Sequence, residues 1–84
     1  MRALVFSDGG PESQAQIDIL HKVATRFPDL DVVVAPFDSD EAIDAGILVA
    51  PGLVIDGVTL SIGRALSAGR IRRFIEQHKP EDDA

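Results

Sequence analysis

Residues 2–13 read Arg2-Ala-Leu-Val-Phe-Ser7-Asp8-Gly9-Gly10-Pro11-Glu12-Ser13. The first six form a short apolar run that a Gly-rich segment closes, which is the pattern of a buried β-strand entering a loop. Pro11 suits the first turn of a helix, because the N–H that proline lacks would have no intrahelical partner there. Apolar residues then recur at helical spacing from Ile17 to Phe27, and Pro28 follows. The sequence therefore predicts a helix that ends at about Phe27.

A second strand and a short helix come next in the chain. Residues 31–35 are β-branched and apolar, which favours a strand. Because a strand–helix–strand unit is parallel in nearly all cases, this strand is predicted to run parallel to the first. Asp38 or Ser39 can cap a short helix through Ala45, and Gly46 supplies the left-handed residue that ends it.

The last part of the chain predicts a hairpin and a third helix. Residues 53–55 and 58–62 flank Asp56-Gly57, which is the strongest short hairpin signal. Ser67 can cap a helix that ends at Lys79-Pro80. The order is therefore βαβ-αββα, an α/β fold in which three helices pack on a mixed four-stranded sheet.

The chain resembles the small thioredoxin-like and glutaredoxin-like proteins of the redox-active disulfide group, over residues 2–77. In that family C-P-x-C stands at the start of the first helix, and a proline, usually cis, precedes the third strand. Here Gly10 and Ser13 occupy the two cysteine positions, and Pro51 occupies the proline position. The resemblance implies a thioredoxin-like fold, but the absence of cysteine excludes thiol–disulfide exchange.

The resemblance also implies a binding edge that has no catalytic chemistry. In such relatives the proline presents the backbone of the preceding residue, here Ala50, to an extended peptide or to glutathione. The residues expected at this edge are Gly9, Gly10, Pro11, Ser13, Ala50 and Pro51. A protein or peptide partner is expected there, in a module that binds or regulates. The alternative is that Pro51 only shapes the entry to the third strand.

Two further interpretations stay open at this point. Ser13 could position glutathione through its hydroxyl in a transferase-like enzyme, but serine needs an adjacent base to act as a nucleophile. Neither His21 nor His78 is placed to serve as that base. The two cysteines could also have been replaced artificially, which fits serine at position 13 but not glycine at position 10.

Composition restricts the class of protein further. A chain of 84 residues makes a single domain over 1–84, with a flexible acidic tail over 80–84. The net charge of −6 argues against nucleic acid and anionic membranes as the main partners. No apolar run approaches the roughly 20 residues of a membrane span, and the start lacks the layout of an export signal. A cytoplasmic protein is therefore expected, and the oligomeric state is left open.

The sequence predicts no metal and no other cofactor. The acidic residues between Asp38 and Asp44 do not match the spacing of a calcium loop. Neither histidine has companions at the spacing of metal ligands.

Overall fold

The computed structural model describes residues 1–78. Within them the chain forms four strands and three helices: β1 (Arg2–Ser7), α1 (Pro11–Ala24), β2 (Asp31–Pro36), α2 (Asp40–Asp44), β3 (Gly52–Ile55), β4 (Val58–Ile62) and α3 (Ala68–His78). The strands make one mixed sheet in the order β2-β1-β3-β4. β1 and β2 are parallel, whereas β3 is antiparallel to both β1 and β4. The predicted α/β class and βαβ-αββα order are confirmed, and the architecture is that of a small thioredoxin-like fold.

Helices cover both faces of the sheet. On one face, Leu20 of α1 and Ile71 of α3 belong to the core cluster that includes the inward side chains of β1 and β3. On the other face, Ala42 of α2 and Ile47 cluster with Phe6. Both faces of the central strand β1 are therefore largely covered, although Leu4 stays partly exposed, and this explains why its sequence is an apolar run without alternation.

The predicted caps and the hairpin turn are present. Ser39 Oγ accepts a hydrogen bond from the Ala42 N–H, and Ser67 Oγ accepts one from the Arg70 N–H, each at 3.3 Å. Asp56 and Gly57 both have positive φ, at 48° and 84°. Positive φ at both central residues gives a two-residue hairpin turn the twist that its strands require.

The end of α1 differs from the prediction. The helix ends at Ala24 rather than near Phe27. The next residues continue with bonds to the third preceding carbonyl, from Arg26 N–H to Val23 and from Phe27 N–H to Ala24. The final turn is thus tightened into 3₁₀ geometry, which the apolar spacing of the sequence does not distinguish from an α-helix.

The predicted acidic tail over 80–84 lies outside the described residues. Among residues 1–78, none of the helices combines the length and the apolar character that crossing a membrane requires.

Candidate functional site

The residues that the sequence singled out lie at one end of the sheet. β1 and β3 are antiparallel, with Phe6 opposite Gly52, so the last residues of β1 lie beside the first residues of β3. The loop after β1 and the segment that ends at Pro51 therefore meet at this end. We call this end of the sheet the candidate edge and define it as residues 8–12, 48–51 and 62–65.

The loop between β4 and α3 joins these two segments. The N–H of Gly63 donates to the Pro51 carbonyl at 2.8 Å. Two residues further on, the N–H of Ala65 donates to the carboxylate of Glu12 at 2.8 Å. The start of α1 and the residue before β3 are thus connected through one short loop.

A compact set of hydrogen bonds holds the loop that leads into α1. Asp8 Oδ1 accepts from the Gly10 N–H at 2.8 Å and from the Ser13 hydroxyl at 2.9 Å. Ser7 Oγ accepts from the N–H of Gly9, whose φ of +80° favours glycine. The Gly10 N–H, and after it the Ser13 hydroxyl, lower the pKa of the Asp8 carboxyl below its ordinary value.

Ser13 is not part of the surface of the candidate edge, which corrects the expectation that it contributes to a binding surface. Its side chain is fully buried. Its hydroxyl donates to the Asp8 carboxylate and accepts the Asp8 N–H at 3.4 Å. Both hydrogen-bonding roles of the hydroxyl are therefore used within the protein. The transferase-like alternative, which requires this hydroxyl to contact glutathione, receives no support from this geometry.

Gly9, Gly10 and Pro11 do reach the surface of the candidate edge. Gly9 and Pro11 are exposed, and Gly10 is partly exposed. Gly10 is the N-cap residue of α1, and the cap has no side-chain hydrogen bond. This position thus presents only backbone.

The Ala50–Pro51 peptide bond is cis, and Pro51 itself is buried. Ala50 is partly exposed. Among residues 1–78, the backbone N–H and C=O groups of Leu48, Val49 and Ala50 have no hydrogen-bond partner. The segment before Pro51 thus carries a short row of unpaired backbone groups.

Two exposed apolar side chains accompany this unpaired backbone, and the sequence analysis missed both. Leu48 is 78% exposed and Val49 is 56% exposed. The signal was present, because Ile47-Leu-Val-Ala50 is a fully apolar run that belongs to neither neighbouring element. Of Ile47, Leu48 and Val49, only Ile47 packs into the protein, where its side chain is 1% exposed.

Two other exposed apolar residues lie at the same end of the sheet. Phe37 follows β2 and donates its N–H to the Ser7 carbonyl. Ile62 ends β4 opposite Gly52. They are 38% and 48% exposed. The candidate edge is therefore bordered by apolar surface on both sides of Pro51.

A buried polar residue behind the candidate edge was also missed. Gln16 lies on the face of α1 that holds the core residues Leu20 and Val23, and it is fully buried. Its amide hydrogen-bonds the backbone of Leu66. The sequence signal for this residue was a polar side chain at the helical spacing of the apolar ones.

The histidines are remote from the candidate edge. His21 lies ten residues after the start of α1, which is about 15 Å along the helix. His78 is at the other end of α3, stacked on Phe74 with ring centroids 4.0 Å apart. Among residues 1–78, no three His, Asp or Glu side chains are grouped so that they could hold a metal ion.

Comparison with known proteins adds no family: no protein-family model matches the chain, and no curated protein matches it.

Proposed function

We propose that this chain is a non-catalytic thioredoxin-like module of the cytoplasm, which binds an extended segment of a partner protein at the candidate edge. The observation that carries the proposal is the unpaired backbone of residues 48–50, next to the exposed side chains of Leu48 and Val49. Unpaired backbone groups can add a peptide as a further strand, and neighbouring apolar side chains contribute burial.

The chemistry of the candidate edge supports binding rather than catalysis. The chain has no cysteine, so no thiolate can form at the start of α1. Gly10 offers no side chain, and the Ser13 hydroxyl is occupied by Asp8. Neither histidine lies close enough to activate a nucleophile there.

The exposed apolar side chains of the candidate edge support the same proposal. Leu48 and Val49 are among the most exposed large hydrophobic residues of the described chain, and exposed apolar clusters in small proteins mark interaction sites. The Val49 side chain lies beside Gly63, since a Cβ atom at position 63 would be in ordinary contact with Val49 Cγ1 at 3.6 Å.

Selection of displayed random heptapeptides on the wild-type protein tests the proposal without assuming a ligand. Selected peptides are then titrated into wild type, a Leu48→Ser/Val49→Ser double variant, and Val58→Ser. Val58 is also exposed, but it lies at the opposite end of the sheet, opposite Ile55. All three substitutions replace exposed side chains, so the fold is retained.

We expect the double variant to bind at least tenfold more weakly and Val58→Ser to bind like wild type. Burial of one such side chain contributes about 1.5–3 kcal/mol, and 1.4 kcal/mol corresponds to tenfold. Peptides that bind all three proteins equally, or a selection that enriches nothing, would contradict the proposal.

A further inference from the structure

Charge is divided unevenly along this chain. Between Phe27 and Gly63 the sequence contains seven acidic residues and no lysine or arginine. This span forms β2, α2, β3 and β4. Four of the eight basic residues are instead on α1 and α3, and two of these, Lys22 and Arg72, line one shallow cavity with Arg26. The charged residues from β2 to β4 are therefore all acidic, whereas α1 and α3 carry charges of both signs.

Carboxylates outnumber basic residues in the candidate edge and the segments that adjoin it. Asp8 and Glu12 are exposed at the start of α1, and Asp38 follows Phe37 at the end of β2. Asp40, at the start of α2, is also exposed, whereas Glu41 and Asp44 of that helix line a cavity with Gly57 and Thr59 towards the hairpin turn. Arg64, in the loop after β4, is the basic residue within the candidate edge, and it is exposed.

These observations, together with the proposed function on which the inference rests, define the chemistry of the partner. We propose that the segment bound at the candidate edge combines lysine or arginine with apolar side chains. The unpaired backbone of 48–50 accepts a strand of any sequence, but the surrounding carboxylates favour cations. Leu48 and Val49 favour apolar neighbours. Glutathione, which is anionic, is disfavoured by the same carboxylates.

Three matched peptides test this inference. Each alternates valine with one second residue, which is lysine, glutamine or glutamate, so that length and apolar content are the same. Each is titrated into ¹⁵N-labelled full-length protein at low and at physiological ionic strength, and free glutathione is titrated in parallel. The amides of Leu48, Val49, Ala50 and Gly63 report on the candidate edge.

We expect the lysine peptide to bind more tightly than the glutamine peptide, and at least tenfold more tightly than the glutamate peptide. The lysine affinity should fall severalfold as salt increases, because exposed charges are screened over about 8–10 Å. The glutamine affinity should not change. Glutathione should shift these amides least.

Two charge variants separate a local effect from net charge. Asp38→Asn and Asp29→Asn change the net charge equally, but Asp29 precedes β2 at the opposite end of the sheet. We expect Asp38→Asn to weaken the lysine peptide about threefold, and Asp29→Asn to leave its affinity within experimental error of wild type. Equal effects of the two variants would overturn the inference.

The outcomes distinguish this inference from the proposed function. If all three peptides shift the amides of 48–50 with equal affinity, the binding edge stands and its preference for cations is wrong. If glutathione or the glutamate peptide binds most tightly, the preference is likewise wrong. If no peptide shifts these amides, the proposed function itself is wrong.

Discussion

The side-chain amide of Gln16 pairs with the backbone of Leu66 through two hydrogen bonds. The Leu66 N–H donates to Gln16 Oε1 at 2.7 Å, and Gln16 Nε2 donates to the Leu66 carbonyl at 3.2 Å. The two residues are fifty positions apart, so this pair ties α1 to the loop before α3. The same loop hydrogen-bonds Pro51 through Gly63. A buried amide thus supports the candidate edge from behind.

Gln16→Ala should lower the free energy of unfolding by about 2 kcal/mol. Each buried backbone group that loses its partner costs about 1–3 kcal/mol, and water can reach Leu66 in part. Urea unfolding measures the change, and hydrogen exchange of the Leu66 amide should accelerate. Gln14→Ala is the matched control, since Gln14 is exposed and should change stability by less than about 0.5 kcal/mol. Equal midpoints for the two variants would show that the Gln16 pair does not stabilise the fold.

Asp8 should titrate at a pH below the ordinary 3.8 of an aspartate. The Gly10 N–H and the Ser13 hydroxyl bind the ionised carboxylate, which lowers its pKa in the folded state. The resulting stabilisation is present above the unfolded pKa and is lost as the pH falls through the folded pKa. The ¹³Cγ shift of Asp8 measures the midpoint, and the Gly10 amide should titrate with it.

Ser13→Ala provides the control for this titration. The variant removes the hydroxyl that binds the Asp8 carboxylate but keeps the Gly10 N–H. The titration midpoint of Asp8 should therefore rise towards 3.8 and remain below it. An unchanged midpoint would mean that the Ser13 hydroxyl does not bind the carboxylate.

Gly52→Ala should destabilise the protein by about 1–3 kcal/mol, because β3 begins directly against Ile47. A Cβ atom at position 52 would approach three atoms of the Ile47 side chain, with Cδ1 at 3.0 Å. Overpacking of this kind costs such amounts in well-packed cores. Thermal or urea unfolding measures the effect.

A double-mutant cycle with Ile47→Ala tests the cause. Ile47→Ala alone leaves a cavity, but together with Gly52→Ala the loss should be smaller than the sum by about 0.5–3 kcal/mol. If the losses of stability in the two single variants add strictly in the double variant, Ile47 is not the residue that a Cβ atom at position 52 clashes with.

Gly57→Ala and Gly69→Ala should change stability in opposite directions. A Cβ atom would meet nothing within 4 Å at either position, so space does not distinguish them. Gly57 has φ of 84°, and alanine there costs about 1–2 kcal/mol. Gly69 lies in the first turn of α3, where alanine should stabilise by about 0.5 kcal/mol. Paired unfolding curves in which both variants shift the same way would refute this account.

The strands and the hairpin could be predicted from the sequence because their signals are local. Residues 3–6 are an apolar run between Arg2 and Ser7, and Asp56-Gly57 matches a turn that few other dipeptides allow. The end of α1 was predicted too late, because a 3₁₀ turn and an α-helical turn have similar apolar spacing.

The candidate edge was predicted only in part, since burial depends on distant segments. The burial of Ser13 depends on the position of Asp8, and that of Gln16 on a loop fifty residues away. Local periodicity does not show which polar residue finds a buried partner. The exposure of Leu48 similarly depends on how Ile47 packs beneath Gly52, which no neighbouring residue in the sequence indicates.

Asp8 makes the start of α1 unsuited to a thiolate, and this can be tested by introducing a cysteine. A Cβ atom at position 10 would lie 3.1 Å from Asp8 Oδ1, so the sulfur of a Gly10→Cys variant would lie close to a carboxylate. The helix dipole lowers the pKa of a thiol at this position, but a neighbouring negative charge raises it. We expect Asp8→Asn to lower the pKa of the introduced thiol, measured from its thiolate absorbance or from the pH dependence of alkylation. The comparison uses Gly10→Cys with and without Asp8→Asn. If the two thiols titrate together, Asp8 does not oppose a thiolate, and its hydrogen bonds to Gly10 and Ser13 only shape the loop.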